Sequence, residues 1–182
     1  NIGGGNKGRN KVIGAVAGAA IGGAVGYSMD NQAKEVAQSL NTNVNNNPTA
    51  ALDPNQDLIV SNTDNYVKIM FRDDMMFETN SENPTYAAGT KISKITTVLQ
   101  KYPNTLVQVV GHTDSRGTHA YNLVLSEKRA TNVGNIINST GVQNQIFSKG
   151  CSFDKPIALN NSDANMGLNR RVEVYLYPNQ QS

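Results

Sequence analysis

Two residues of opposite charge, Asp114 and Arg129, stand on either side of a predicted junction between a loop and a helix. The apolar run 105–110 predicts a buried strand, and the Gly-containing segment after it carries Asp114. Arg129 falls about two to three turns into a helix predicted over 120–139. A loop between the carboxyl end of a strand and the amino end of a helix is a common ligand position, because the first N–H groups of a helix lack partners within it. The two charges are therefore candidates for binding a ligand, or for a mutual salt bridge that only holds the loop against the helix.

The elements that must position these charges alternate between strands and helices. Predicted strands occupy 58–60, 66–71, 105–110, 145–149 and 172–177. An apolar stripe at helical spacing predicts a helix that begins at Pro84 and ends before Pro103, and Gly141 ends the second helix. This alternation predicts an α/β fold, an α+β sandwich with one mixed sheet and the helices packed on one of its faces.

The N-terminal segment 1–40 contains four glycines at a four-residue spacing, Gly14, Gly18, Gly22 and Gly26. This spacing places them on one helical face, which a second helix could approach closely, as helix pairs do in lipid. The apolar run of roughly 14–16 residues is shorter than the ~20 residues that a bilayer core requires. Two interpretations remain open for residues 12–27. One is a glycine-zipper helix that associates with a membrane or with itself; the other is a flexible Gly/Ala tail, since each glycine costs an isolated helix roughly 1 kcal/mol.

The segment 41–55 is rich in Asn, contains Pro and is almost uncharged, which is typical of a linker. The sequence therefore predicts three parts: the glycine-zipper segment 1–40, the linker 41–55 and a globular domain over 56–182. The chain begins with Asn1 rather than Met, which indicates a processed or trimmed precursor.

Composition argues against several classes of function. The formal net charge is only +2 and Lys and Arg form no dense cluster, so nucleic acid is not an expected partner. The single cysteine, Cys151, excludes an intrachain disulfide. The spacing of His112, Asp114 and His119 could suggest zinc, but no Cys partner or acidic helix motif accompanies these residues. We therefore expect no metal and no cofactor.

The sequence also lacks the motifs of common enzymes. It contains no nucleophile elbow, no phosphate-binding loop and no Cys–His signature. Three carboxylates are close in sequence and could serve glycoside cleavage, but nothing in the sequence places them in a cleft: Asp73, Asp74 and Glu78. A non-enzymatic protein is therefore expected, with hydrolysis of a glycoside as the alternative.

The segment 110–130 resembles the OmpA-like C-terminal domain, the fold of peptidoglycan-associated lipoproteins and of flagellar motor stator proteins. The matching blocks are GHTDSRG, YN, LS and RA. NRRVEV at 169–174 matches the closing motif of the family, and FETNS at 77–81 matches an earlier loop more weakly. The resemblance covers roughly 58–178. It implies a βαβαβ mixed sheet, no catalysis, and non-covalent binding of peptidoglycan through the diaminopimelate of its stem peptide.

The same resemblance implies roles for individual residues. Asp114 would bind the ammonium of diaminopimelate and Arg129 its carboxylate, ideally through two parallel hydrogen bonds. The other implied site residues are Asn122, which bonds the ligand or holds the loop, the flanking Thr113 and Leu125, Arg170 as a second carboxylate contact, and Phe77 as a wall of the pocket. Asn165 and Met166 stand where the family usually has a Gly-Arg pair, which puts any contact from that Arg in doubt.

The N-terminal region, with GYSMDNQAKEV after the glycine zipper, resembles outer-membrane lipoproteins of the same superfamily. The resemblance implies an outer-membrane anchor at a lipidated cysteine upstream of Asn1, with the C-terminal domain in the periplasm, where it would tether the membrane to the cell wall. Two alternatives remain: a structural or oligomerising envelope protein that acts through residues 12–27, and a wall-cleaving enzyme.

Overall fold

The computed structural model describes residues 23–178, so Gly14, Gly18 and Gly22 of the predicted zipper lie outside the described residues. The helices are α1 (Gly23–Ser39), α2 (Asp73–Met76), α3 (Tyr86–Ser93), α4 (Thr96–Lys101), α5 (His119–Ser139) and α6 (Asp163–Asn169), with a short 3-10 helix at Ala50–Leu52. The strands are β1 (Leu58–Asn62), β2 (Val67–Arg72), β3 (Leu106–His112), β4 (Ile146–Gly150) and β5 (Arg171–Tyr177).

The five strands form one mixed sheet in the order β1-β2-β5-β3-β4. All neighbours are antiparallel except β3 and β4, which run parallel and are joined by α5. The last strand, β5, lies at the centre, and its Arg171 stands opposite both Arg72 of β2 and His112 of β3. The ends of β2 and β3 and the start of β5 therefore meet at one edge of the sheet. This register brings together Asp73, Arg170 and the loop that follows His112.

The main hydrophobic core lies between the sheet and the helices on one of its faces. Val107 and Val109 alternate along β3 with side chains that point away from the core, and both are fully buried. Helix α5 contributes Ala130, Val133 and Ile137, whose three- and four-residue spacing forms one apolar stripe. The predicted α/β fold, a mixed sheet with helices on one face, is confirmed.

Helix α1 belongs to the same core, which differs from the separate N-terminal segment and linker that the sequence predicted. Its apolar stripe is no more than 3% exposed at each position: Met29, Ala33, Val36 and Leu40. The segment 41–55 continues against the sheet, where the N–H of Asn45 donates to the carbonyl oxygen of Val60 at 2.8 Å. The apolar stripe explains why α1 packs in the core and is not a separate segment, because an amphipathic helix must bury its apolar face against another element. No helix within residues 23–178 is long and apolar enough to cross a bilayer.

The helix predicted between Pro84 and Pro103 is divided into α3 and α4. Thr85 rather than Pro84 begins it, since the Thr85 hydroxyl accepts a hydrogen bond from the N–H of Ala88 at 3.2 Å. Helices α2 and α6 were not predicted. They have only 4 and 7 residues, too few for a helical period to be recognised in the sequence.

Helix α5 lies unusually close to β3 and β4 where each strand carries a glycine. A Cβ atom at Gly111 would stand 2.4 Å from the carbonyl oxygen of Ser126, and one at Gly150 would stand 2.4 Å from the backbone nitrogen of Glu127. These two glycines therefore set the distance between α5 and the strand ends, and with it the position of the residues that α5 carries.

We predict that Gly111→Ala destabilises the protein by roughly 1–3 kcal/mol, because the added methyl group meets backbone that cannot move without shifting α5. Urea denaturation measures the effect. The matched control is Gly89→Ala in α3, whose Cβ would meet only the Cδ1 atom of Ile136 at 3.8 Å. It should be neutral or stabilising, because alanine favours helices over glycine. Equal stability of the two variants would contradict the close packing.

Candidate functional site

A charged cavity of about 340 Å³ opens at the edge of the sheet where β2, β3 and β5 meet. It lies between the loop before α5, the first turns of α5 and the segment after β2. Its lining residues are Asp73, Asp74, Thr79, Asn80, Thr113, Asp114, Arg116, Tyr121, Asn122, Leu125, Arg129 and Arg170. Six of the seven residues proposed from the sequence therefore surround one cavity.

Asp114 presents its carboxylate at the floor of this cavity and is only 5% exposed. Its Oδ1 atom accepts the backbone N–H of Arg116 at 2.9 Å, and Oδ2 accepts Nη2 of Arg116 at 2.9 Å and Nη1 of Arg170 at 2.7 Å. Burial alone would raise the pKa of Asp114, but the hydrogen bonds from Arg116 and Arg170 lower it below its usual value. Asp114 is therefore a stable anion. Arg116, its partner from the same loop, is exposed.

Arg129 reaches the cavity from the third turn of α5 and is 4% exposed. Its Nη1 atom donates to the carboxylate of Asp73, and Nε donates to the carbonyl oxygen of Ser81 at 2.8 Å. The guanidinium also lies over the ring of Phe77, 4.4 Å from its centroid. The mutual Asp114–Arg129 salt bridge that the sequence left open is thus not formed, and each charge has its own partner.

Arg170 connects the two carboxylates. Its Nη1 atom bonds Asp114 at 2.7 Å, and its Nε atom lies 3.8 Å from Oδ2 of Asp73. The side chains therefore alternate in charge along the cavity in the order Arg116, Asp114, Arg170, Asp73 and Arg129. Burial raises the pKa of Asp73, and the cations of Arg129 and Arg170 oppose that effect. The result is a fixed alternation of positive and negative groups at close range.

Asn122 holds the loop that carries these charges. Its Nδ2 atom donates to the carbonyl oxygens of Arg116 at 2.7 Å and Thr118 at 3.0 Å. Thr113 donates its hydroxyl to the carbonyl oxygen of Asp114 at 2.9 Å, and its backbone N–H bonds the carbonyl oxygen of Ser152. Of the two roles proposed for Asn122, the structure therefore shows the one that fixes the loop.

Phe77 does not form a wall of the cavity, which corrects the sequence prediction. It is 4% exposed, belongs to the hydrophobic core and lies beneath the guanidinium of Arg129. An isolated β-bridge to Pro84 holds its backbone in this position. Phe77 therefore packs against the guanidinium of Arg129 and is not among the residues that line the cavity.

Asp73 and Asp74 line the cavity, although nothing in the sequence placed them in a cleft. Asp73 follows β2 directly, and its backbone N–H bonds the carbonyl oxygen of Arg170 at 2.9 Å. Only the pairing of β2 with β5 brings it there, so no local signal could have identified it. Among the described residues, no group of three or more His, Cys, Asp or Glu side chains could hold a metal ion.

The segment that departs from the family pattern forms α6 in this structure. The Ser162 hydroxyl accepts the N–H of Asn165 and begins the helix, while Asn169 accepts the N–H groups of Ile157 and Ala158. Arg170 follows as the C-terminal cap of α6. Helix α6 therefore places Arg170 at the cavity, whereas Asn165 is not among the residues that line the cavity.

The chain is similar in sequence to known proteins. The sequence model of the OmpA family matches residues 76–170. The chain is 36% identical over 103 residues to the probable lipoprotein YiaD of Escherichia coli, a match that covers 56% of this chain and 47% of the relative. It is 35% identical over 99 residues to the peptidoglycan-associated lipoprotein of Buchnera aphidicola, covering 54% of this chain and 56% of the relative. The chain thus spans about half the length of these curated relatives.

Solved structures share the fold. The cell wall anchor of the type VI secretion system of Pseudomonas aeruginosa superposes with a TM-score of 0.61 at 27% identity, covering 68% of this chain and 89% of that one. The peptidoglycan-associated lipoprotein of Burkholderia pseudomallei gives a TM-score of 0.52 at 28% identity, covering 56% of this chain and 87% of that one.

We predict that Asp73→Ala lowers the free energy of unfolding by roughly 3–5 kcal/mol, because it leaves the buried guanidinium of Arg129 without its anion. Denaturation in urea measures the loss. Asp74→Ala is the matched control: Asp74 is exposed and makes no ion pair with any described residue, so its loss should stay below about 1 kcal/mol. Similar losses in both variants would show that the Asp73–Arg129 pair does not support the fold.

Proposed function

The chain belongs to the OmpA family, and from this premise we propose that its C-terminal domain binds peptidoglycan without catalysis, through the diaminopimelate of the stem peptide. The free end of meso-diaminopimelate carries an ammonium and a carboxylate on one carbon atom. A site for it requires an anion and a cation that face the same space and do not neutralise each other. The observation that carries the proposal is that Asp114 and Arg129 line one cavity while each is held by a different partner.

The contacts of these residues suggest how each would meet the ligand. Arg116 is exposed and donates a hydrogen bond to Oδ2 of Asp114, the atom that we assign to the ligand ammonium as its acceptor. Within residues 23–178, the Nη2 atom of Arg129 makes no hydrogen bond, so it remains for the ligand carboxylate, with Arg170 as a second donor. Because the partners of Asp114 and Arg129 are already in place, binding would require little rearrangement beyond the release of Arg116.

The names of the relatives support this class of ligand and a place in the cell envelope. They include peptidoglycan-associated lipoproteins, a cell wall anchor and outer membrane porins. We propose that the protein tethers the outer membrane to the wall, with residues 56–182 in the periplasm. The part of the chain before the buried stripe of α1 would supply the membrane attachment or a self-association through 12–27, while the stripe itself and 41–55 pack against the domain.

The states of the two carboxylates support binding over wall cleavage. Hydrolysis of a glycoside needs one protonated carboxyl group and one free carboxylate that can reach the scissile bond. Asp114 is bonded to Arg116 and Arg170, and Asp73 is bonded to Arg129 and lies 3.8 Å from Nε of Arg170, so that arginines occupy both carboxylates. We therefore assign no catalytic role to either residue.

We predict that Asp114→Asn weakens binding of a diaminopimelate-containing stem peptide by roughly 10- to 100-fold, because the ammonium of the ligand loses its anion, an effect of ~1.5–3 kcal/mol. Isothermal titration calorimetry measures the affinity. The same peptide with lysine in place of diaminopimelate lacks the second carboxylate. It should also bind the natural protein weakly, since Arg129 then has no ligand carboxylate to bind.

Arg116→Ala is the matched control, because it removes a charge of the same loop that we do not assign to the ligand; its affinity should be equal or higher. Binding should weaken with salt, since both contacts are ionic. Undiminished affinity of Asp114→Asn, or equal affinity for the lysine and diaminopimelate peptides, would refute the site. Release of cleaved muropeptides by the natural protein would refute a purely binding role.

A further inference from the structure

The C-terminal end of α6 lies directly before Arg170, the residue that connects the two carboxylates of the charged cavity. A helix leaves its last carbonyl groups without partners inside the helix. In α6 the N–H of Arg170 donates to the carbonyl oxygen of Met166 at 3.2 Å, so the carbonyl oxygens of Leu168 and Asn169 lie beyond the last helical hydrogen bond. The partners of these two carbonyls therefore hold the helix end in place, and Arg170 with it.

Two buried arginines are those partners. Nη1 of Arg72 donates to the carbonyl oxygen of Leu168 at 2.9 Å, and Nη1 of Arg171 donates to that of Asn169 at 3.0 Å. Both arginines are only 4% exposed. A cation at the C-terminal end of a helix is favourable, because the helix dipole is negative there. We call the pair Arg72 and Arg171 the α6 clamp.

The α6 clamp places two like charges directly opposite each other in the sheet. Arg72 of β2 and Arg171 of β5 are partners in the antiparallel register. Like charges at such positions destabilise a sheet, and their removal from water adds to the cost. Burial and the charge of Arg171 accordingly lower the pKa of Arg72. Pairing of the strands alone therefore does not account for two arginines here.

The remaining donors of the clamp bind segments that surround α6. Nε of Arg171 donates to the buried carboxylate of Glu173 at 2.9 Å, and Nη2 donates to the carbonyl oxygen of Lys155 at 3.0 Å. Nη2 of Arg72 donates to the carbonyl oxygen of Gln56, also at 3.0 Å. All three nitrogens of the Arg171 guanidinium are therefore in use. Lysine has a single nitrogen, so it cannot bind the same acceptors in a fixed fork.

Asn169 joins the loop before α6 to the same helix end. Its Oδ1 atom accepts the N–H groups of Ile157 at 2.7 Å and Ala158 at 3.0 Å, and its Nδ2 atom donates to the carbonyl oxygen of Ala158 at 2.9 Å. Arg171 contacts both parts of this connection, through the carbonyl oxygens of Lys155 and Asn169. The loop and the helix end are thus held by one set of hydrogen bonds.

Arg170 keeps two of its nitrogens for a ligand. Its Nη1 atom bonds Asp114, whereas Nε and Nη2 make no hydrogen bond within residues 23–178. The guanidinium lies against the last turn of α6, where a Cβ atom at Gly167 would stand 3.4 Å from Nη2. The position of the helix end therefore sets where these two donors point.

We propose that Arg72 and Arg171 are positioning residues of the diaminopimelate site. Neither lines the charged cavity. They hold the end of α6, and through it they fix the direction in which Arg170 presents its donors to the ligand carboxylate. The inference rests on the proposed function, in which Arg170 is the second donor to that carboxylate. Loss of the clamp should therefore affect recognition of the carboxylate and leave recognition of the ammonium intact.

The test is a double-mutant cycle, measured by isothermal titration calorimetry with the diaminopimelate-containing stem peptide. Arg171→Lys keeps a positive charge beside Glu173 and should weaken binding by roughly 3- to 10-fold, because one nitrogen cannot hold the helix end. Arg170→Ala should weaken binding by at least as much. When Arg170→Ala is already present, Arg171→Lys should cause no further loss beyond about 2-fold, because a residue that acts only through Arg170 then has nothing to position.

Arg72→Lys is the second variant, since it loosens the same helix end from another strand. It should weaken the peptide in the same way and lose its effect when Arg170→Ala is present. Urea denaturation of each variant identifies the conditions in which it is folded. The stem peptide with lysine in place of diaminopimelate gives a further readout. It lacks the second carboxylate, so both clamp variants should bind it as the natural protein does, whereas a general defect of the site would weaken both peptides.

Ser162→Ala is the matched control, because it removes the hydroxyl that begins α6 at an exposed position and leaves the clamp in place. It should lower stability and keep the affinity within about 2-fold. An equal loss of affinity in this control would overturn the inference while the proposed function stands. Unchanged affinity in both clamp variants, or a full effect of Arg171→Lys on top of Arg170→Ala, would do the same. If the natural protein does not prefer the diaminopimelate peptide over the lysine peptide, the proposed function fails and the inference falls with it.

Discussion

The position of β5 between β2 and β3 is the constraint on which the rest of the structure depends. Its register places Arg171 opposite both Arg72 and His112, so that three strand ends coincide at one edge of the sheet. Residues that lie far apart in the chain, Asp73 and Arg170 among them, become neighbours there. The same strand carries Glu173, whose side chain bonds His112 and the hydroxyl of Tyr175.

Burial of Asp73, Asp114 and Arg129 is tolerated because each has a partner of opposite sign. Removing a charged group from water costs several kcal/mol unless an opposite charge and hydrogen bonds replace the solvent. In the charged cavity the alternation of arginine and aspartate meets this requirement and also prevents Asp114 from neutralising Arg129. The arrangement that stabilises the fold is therefore the one that leaves an anion and a cation lining the same cavity.

Much of this could be predicted from the sequence, and the errors have physical causes. The strands, the long helix α5, the loop that carries Asp114 and the position of Arg129 follow from periodicity, turn residues and family motifs. The prediction that Phe77 forms a wall of the pocket was wrong, because a motif match does not show whether a side chain points into the core or into the cavity. The segment 41–55 was interpreted as a linker because its composition is that of a loop, whereas α1 before it needs the sheet to cover its apolar stripe.

The sequence by itself determined the class of fold, the loop and helix that carry the two charges, and the chemistry those charges could perform, because these depend on local periodicity and on residue type. Only the tertiary structure decided which charges pair, and that Asp73 rather than Asp114 holds Arg129. The physical reason is that the order of strands in a sheet is set by the packing of the whole domain. The residues next to a charge in the sequence therefore do not indicate a partner that a distant strand contributes.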